Sequence, residues 1–195
     1  MSHILLFVTA KSAEQLALQL INGDLTTNPK WFALAETCLV ETTEVSGRNS
    51  VFTDNVKDGI VLDNEFLGAS EDECQTWALE QMDRFSFLDR DFIVILDERS
   101  AAEGTVLVKY FHDFPSFELE WANGPLPPRR YEWYPFRIAY HEIPEVHHDL
   151  LFAPPLDTYP VYFELSQYFT DENGIFNVQQ AYQFQLAVSN LSQID

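Results

Sequence analysis

Arg137, Tyr140 and His141 bring together a guanidinium, a phenol and an imidazole, the side-chain types that hold an oxyanion and move a proton. They stand in the run Phe136-Arg137-Ile138-Ala139-Tyr140-His141, where Phe136, Ile138 and Tyr140 alternate with Arg137 and Ala139. That alternation predicts a half-buried strand ending near His141. Strand ends are where open α/β sheets hold ligands. There Arg137 would bind a carboxylate or a developing enolate oxygen, and His141 would move a proton near neutral pH. The competing structural account pairs Arg137 with a surface acid and has His141 cap a helix. Trp133, Tyr134, Tyr140 and the more distant Trp121 would supply flat faces for stacking on an apolar or aromatic ligand. The stretch 129–155 also holds three of the five histidines and three of the eleven basic residues.

Three other clusters carry chemistry-bearing residues. In Lys109-Tyr110-Phe111-His112-Asp113, a strand would place Tyr110 and His112 on one face and Lys109 and Phe111 on the other. A Tyr–His pair of that kind could transfer protons; a plain turn after the strand is the alternative. Asp97 ends the apolar run 92–96 and is either an isolated catalytic acid or a helix or turn cap. The segment His141-Glu142-Ile143-Pro144-Glu145-Val146-His147-His148-Asp149 offers metal-ligand types in poor spacing. On a helix His147 and His148 point about 100° apart, so no metal is expected there. The segment reads instead as an exposed helix with acids towards its amino end and histidines towards its carboxyl end. Cys38 and Cys74 lie on apolar stripes without C-x-x-C spacing, which indicates inert buried thiols.

Composition limits what these residues serve. The chain has 195 residues, 46% hydrophobic and 14% aromatic, enough for one domain with a sizeable core. Its formal charge of −20 repels phosphates and anionic lipid headgroups, so neither nucleic acid nor a membrane is an expected partner. No stretch approaches the ~20 apolar residues of a membrane helix. The apolar run 4–8 is too short for a signal-peptide core, and a cytoplasmic location is expected. The seven glycines stand singly, with no phosphate-cradling loop, no nucleophile elbow and no H-E-x-x-H. Dinucleotide oxidoreductases, P-loop enzymes, ordinary serine hydrolases and zincins are thereby disfavoured, and no cofactor is expected.

The elements that must position these residues follow from periodicity and caps. Residues 4–8 predict a buried strand, and 11–22 a helix with Ser12 as N-cap and Gly23 as stop. A short helical piece is expected over 31–35 after Asn28-Pro29, with strands over 38–45 and 59–62 and a polar loop over 48–55 between them. Ser70-Glu71-Asp72-Glu73 is the clearest helix start, with Ser70 as cap and Glu73 completing a capping box. Strands follow over 92–96, 105–111 and 117–121, the last two as antiparallel neighbours. Asn123-Gly124-Pro125-Leu126-Pro127-Pro128 reads as loop. Pro144 begins a helix to about Phe152. Thr158 and Pro160 restart one through Phe169, residues 171–174 turn, and 179–191 form a last amphipathic helix. The prediction is a single α/β domain, 1–195, tending to α+β, with a mixed sheet packed by helices. An insertion is expected near 114–130 and a helical extension after 167.

The pattern from Val61 to about Gln167 resembles a family of uncharacterised bacterial and fungal α/β domains. The likeness lies in the helix 71–82, the strand Phe92-Ile93-Val94-Ile95-Leu96-Asp97, the strand Val106-Leu107-Val108, the Phe136-Arg137-Ile138 run, and the closing Tyr162-Phe163-Glu164-Leu165. The family often carries an acid where Lys109 stands here, and it has no established activity, so the resemblance implies a fold and no residue roles. Two functions stay open. One is a cofactor-independent isomerase, cyclase or lyase acting on a small apolar or aromatic metabolite, of the kind met in fungal secondary metabolism. It would use Arg137, His141, His112 and Asp97 for catalysis and Trp133, Tyr134, Tyr140 and Trp121 for binding. The other is a non-catalytic module that meets a protein partner through the aromatic and arginine-bearing region 121–136.

Overall fold

The computed structural model describes residues 3–22, 32–35, 52–53, 64–113, 119–121 and 123–191. The expected strands over 38–45 and 59–62, and the Gly23 stop, lie outside them. The chain divides into two compact units, Met1–Lys109 and Tyr110–Asp195, with a mixed sheet and helices as expected of an α/β protein.

In the first unit the apolar runs become strands covered on both faces, which is why they show no alternation. β1 (His3–Val8) is buried from Ile4 to Val8 and lies parallel to both β2 (Phe32–Ala35) and β4 (Leu88–Leu96). β2 pairs antiparallel with β3 (Phe52–Thr53), and the order in this unit is β3-β2-β1-β4-β5, β5 being Thr105–His112. Two expectations change here. Residues 32–35 are strand rather than helix: Phe-Ala-Leu-Ala is buried at all four positions, and pairing with β1 overrides its helical propensity. The expected loop over 48–55 contains β3.

Around the sheet, a 3-10 turn (Lys11–Ala13) leads into α1 (Glu14–Asn22). Ser12 sits inside that turn and is not an N-cap; Ala10 holds the cap position with no side-chain bond. α2 (Glu71–Met82) begins as its sequence predicts, with the Ser70–Glu73 capping box formed in both directions. Its buried face includes Cys74, Trp77, Ala78 and Met82. Trp77 packs edge-on against Phe7 and Phe66, with centroids 5.7 and 5.1 Å away. α3 (Glu98–Glu103) follows β4 and ends at Gly104 in the left-handed region (φ 66°).

The second unit contains β8 (Glu132–Ala139). β6 (Leu119–Trp121) pairs antiparallel with β7 (Gly124–Leu126) as a separate two-stranded ribbon. This corrects the expectation that 105–111 and 117–121 are neighbours, and turns part of the Pro-rich loop into strand. β7 accepts prolines because only a short edge is paired. A 3-10 turn (Tyr140–Glu142) leads into α4 (Ile143–Leu151), with Pro144 in its first turn. α5 (Pro155–Tyr159), a π-helical turn (Pro160–Glu164), α6 (Ser166–Phe169) and α7 (Val178–Leu191) complete the unit. Its core is aromatic. Phe136 packs edge-on against Tyr162, Phe163 and Phe176, and Tyr162 stacks on Phe176 at 5.1 Å.

Candidate functional site

The carboxyl ends of β1 and β4 form the switch point of the first unit's sheet, the usual place for a ligand in such folds. Here the chain bridges it with its own groups. Thr9 donates from its backbone N–H and its hydroxyl to the Leu96 carbonyl, at 2.8 and 3.1 Å. The Asn64 amide donates to the Val8 carbonyl at 2.6 Å, and Gly68 N–H to the Thr9 carbonyl at 2.8 Å. Gly68 lies at φ 84°, which a residue with a Cβ adopts only with strain. Asp97, beside this end, is the N-cap of α3: its carboxylate accepts from the Ser100 N–H at 3.0 Å and from the Ser100 hydroxyl at 3.1 Å. The arrangement gives Asp97 a capping role.

In the second unit β8 is buried on both faces over Phe136, Arg137 and Ile138, so the half-buried alternation read from the sequence is not what forms. The Arg137 carbonyl accepts from Phe176 N–H at 2.7 Å, and its residue bridges Ile175. His141 stands exposed on the turn that follows, its ring edge-on to the half-buried Tyr140 at 5.7 Å. Arg137 and His141 therefore occupy different environments. Glu142 folds back to accept from Ala139 N–H at 3.3 Å, and burial raises its carboxyl above the usual range despite that bond and the nearby His141.

The rings read as stacking faces are engaged within the unit. Trp133 packs on Phe111 with centroids 5.0 Å apart, and Tyr134 lies edge-on to Phe163 at 4.9 Å. The Tyr134 hydroxyl donates to the Arg129 carbonyl and accepts from its N–H, both at 2.8 Å, and burial raises its pKa. Trp121 on β6 is exposed.

A buried polar group gathers at the end of β5. Tyr110 and His112 share a face, as the strand reading requires, with the Tyr110 hydroxyl 3.4 Å from His112 Nδ1. The same hydroxyl lies 3.1 Å from that of Tyr159, on α5. Phe163 packs on both tyrosine rings. This group could relay a proton between a phenol and an imidazole. Sequence reasoning named Tyr110 and His112 but missed Tyr159, 49 residues from Tyr110 along the chain.

On α4 the expected exposed helix is exposed only in part. His147 is buried against Phe152, whereas His148 is exposed and stacks on the same ring at 6.1 Å. Among the described residues no group of three His, Cys, Asp or Glu side chains is placed to hold a metal ion. Cys74 is buried; Cys38 lies outside the described residues. Among the described residues no helix is long and apolar enough to cross a membrane.

The surface shows what the motifs did not. Eight of the eleven large apolar side chains exposed among the described residues belong to the second unit. They include Trp121, Tyr131, Phe152, Leu156 and Tyr168, with three more on α7. Tyr131 is 72% exposed and holds φ 58°, a left-handed conformation unusual for a bulky residue. No match to this chain is found among the models of known protein families, the curated proteins or the solved structures. The geometry alone therefore carries the functional argument.

Proposed function

We propose that the protein is an interaction module whose second unit meets a protein partner through exposed aromatic and aliphatic side chains. One observation carries this reading: among the described residues the second unit holds most of the exposed large apolar side chains, whereas the first contributes Leu67, Leu79 and Phe87. Scattered single residues of this kind are ordinary on a protein surface, and it is their concentration in one unit that supports a contact region there. Trp and Tyr, among the commonest anchors of binding energy, are represented by Trp121, Tyr131, Tyr168 and Tyr182. Within the 121–136 stretch Phe136 is buried and Trp133 packs on Phe111, which leaves Trp121 and Tyr131 as its exposed rings. A photo-cross-linking residue placed at Tyr131 or Leu156 should form discrete protein adducts in cells, while one at Leu79 should not. Identical adduct patterns at all three positions, or no protein adduct at Tyr131 and Leu156, would refute the reading.

A second reading, a cofactor-free isomerase, cyclase or lyase, is favoured by the Tyr110–His112–Tyr159 group. Buried phenols beside an imidazole in an aromatic wall can pass a proton without a cofactor. Its test is deuterium uptake from D2O into small enolisable aryl ketones, followed by NMR. Exchange above the buffer rate that His112→Gln removes would support it; exchange at the buffer rate would sink it.

A further inference from the structure

The module reading leaves the partner's chemistry open, and the charge pattern of the second unit narrows it. From Ile138 to Asp195 the sequence contains no lysine or arginine, while Glu142, Glu145, Asp149, Asp157, Glu164, Asp171 and Glu172 all fall within the same stretch. This stretch contributes α4, α5, α6 and α7. α5 packs against α4, β6 and α7, and so stands beside the elements that carry Trp121, Tyr182 and Leu186. It carries Leu156, which is 63% exposed, with the exposed Asp157 beside it. Phe152 closes α4, and Trp121 on β6 is preceded by the exposed Glu120. On α7, Tyr182 and Leu186 are four residues apart, hence on one helical face, and both are exposed.

Resting on the module reading, we propose that the surface carried by α5, β6 and α7 docks a basic segment of a partner protein that inserts apolar anchors among Leu156, Trp121, Tyr182 and Leu186. Charge complementarity selects this occupant. A second copy of the chain would bring two acidic faces together, and the net charge of −20 opposes that. An anionic lipid surface or a nucleic acid meets the same repulsion. A lysine- or arginine-bearing amphipathic helix gains both terms, because apolar anchors recurring at i, i+3 or i+4 and i+7 fill the surface while its basic residues meet the surrounding acids, Asp157 beside Leu156 among them.

The test uses the full chain and three labelled peptides read by fluorescence anisotropy: an amphipathic Leu/Lys helix, the same pattern in Leu/Glu, and a lysine peptide without leucine. The Leu/Lys peptide should bind, the Leu/Glu peptide should not, and the lysine peptide should bind more weakly and be lost as salt rises. Leu156→Ser with Tyr182→Ser, both exposed positions, should weaken Leu/Lys binding by about tenfold or more with the circular dichroism spectrum unchanged. Glu120→Lys with Asp157→Lys should weaken Leu/Lys binding without admitting the Leu/Glu peptide, because the chain stays strongly acidic. The proposal is overturned by Leu/Lys binding that neither double variant changes, by no Leu/Lys binding at all, or by sedimentation showing that these apolar residues join two copies of the chain. An adduct from the Leu156 cross-linker to a partner segment lacking Lys and Arg would remove this proposal and leave the module reading standing. The absence of any protein adduct at Tyr131 and Leu156 removes the module itself.

Discussion

The Tyr162 hydroxyl donates a 2.9 Å hydrogen bond to Asp149 Oδ2, tying α4 to the π-helical turn across 13 residues of chain. Tyr162 is 1% exposed, so its hydroxyl has little access to water and this acceptor matters. Burial raises the Asp149 carboxyl above its ordinary pKa, and Glu145 adds to that; the Tyr162 bond and His148 pull the other way. Burial, followed by the charge of Asp149, also pushes the Tyr162 phenol well up.

The sign of the pH effect follows from that raised carboxyl. A native state that holds a carboxyl proton more tightly than the unfolded chain loses stability as pH rises from about 4 through the raised native value. Glu142, also raised by burial, acts in the same direction. Asp149→Asn keeps an acceptor for Tyr162 and removes the buried charge. It should be at least as stable as the native protein at pH 7 and show a flatter stability–pH slope in that window. Asp149→Ala strands the hydroxyl and should cost about 1–3 kcal/mol. Denaturant titrations across pH decide it, and equal losses for Asn and Ala would refute the account.

The Ser70–Glu73 capping box should show the opposite pH dependence. Bonds from the Ser70 N–H and hydroxyl lower the Glu73 carboxyl below its usual value. Its contribution is present above the unfolded pKa and fades as pH falls through the lower native one. Ser70→Ala should cost about 1 kcal/mol at neutral pH. The gap between the denaturant curves of Ser70→Ala and the native chain should narrow at low pH, where Glu73 is protonated in both, leaving the part owed to the Glu73 N–H that the Ser70 hydroxyl accepts; a gap that widens on acidification would contradict the assignment.

Lys109 is buried at 5% exposure and its ammonium meets Glu71 Oε2 at 2.5 Å. Glu71 is half exposed, so water screens the pair and the attraction is discounted accordingly. What costs stability is a buried ammonium without a carboxylate. Glu71→Ala should lose about 1–2 kcal/mol, whereas Lys109→Met, which removes the charge and keeps the stem, should be near neutral. Thermal unfolding of the two variants gives the comparison, and a larger loss for Lys109→Met would show that the pair itself stabilises the fold.

Local signals were legible where they are local. The Ser70 capping box, the apolar runs of β1 and β4, Pro144 at the start of α4, and the shared face of Tyr110 and His112 all depend on spacings of a few residues. The misreadings involve distant partners. Phe-Ala-Leu-Ala over 32–35 becomes strand because β1 pairs with it. Arg137 is buried because Phe176 and Ile175, far along the chain, line up beside it. Tyr159 reaches Tyr110 across 49 residues, which no short motif encodes. The exposed apolar surface was hidden differently: Tyr182 falls in the expected amphipathic helix and Leu156 between two expected helices, and only their exposure in the fold distinguishes them from core residues. The lack of Lys and Arg after Arg137 is the sequence signal that could have pointed there.

Tyr131 offers a test that separates a structural residue from a functional one. Its backbone lies at φ 58° and its N–H donates to the His112 carbonyl at 2.7 Å, while its ring is 72% exposed. Glycine or asparagine fits that conformation more readily than a bulky aromatic, by about 1–2 kcal/mol before the extra unfolded-state freedom of glycine is counted. Tyr131→Asn and Tyr131→Gly should therefore leave stability unchanged or raise it by up to about 1 kcal/mol in chemical denaturation, with the bond to His112 retained. Protein adducts from the cross-linker at Leu156 should fall in both variants if the ring belongs to the contact surface. A clear loss of stability in both would instead make the Tyr131 ring part of the packing of the second unit, and would take it out of the interaction surface.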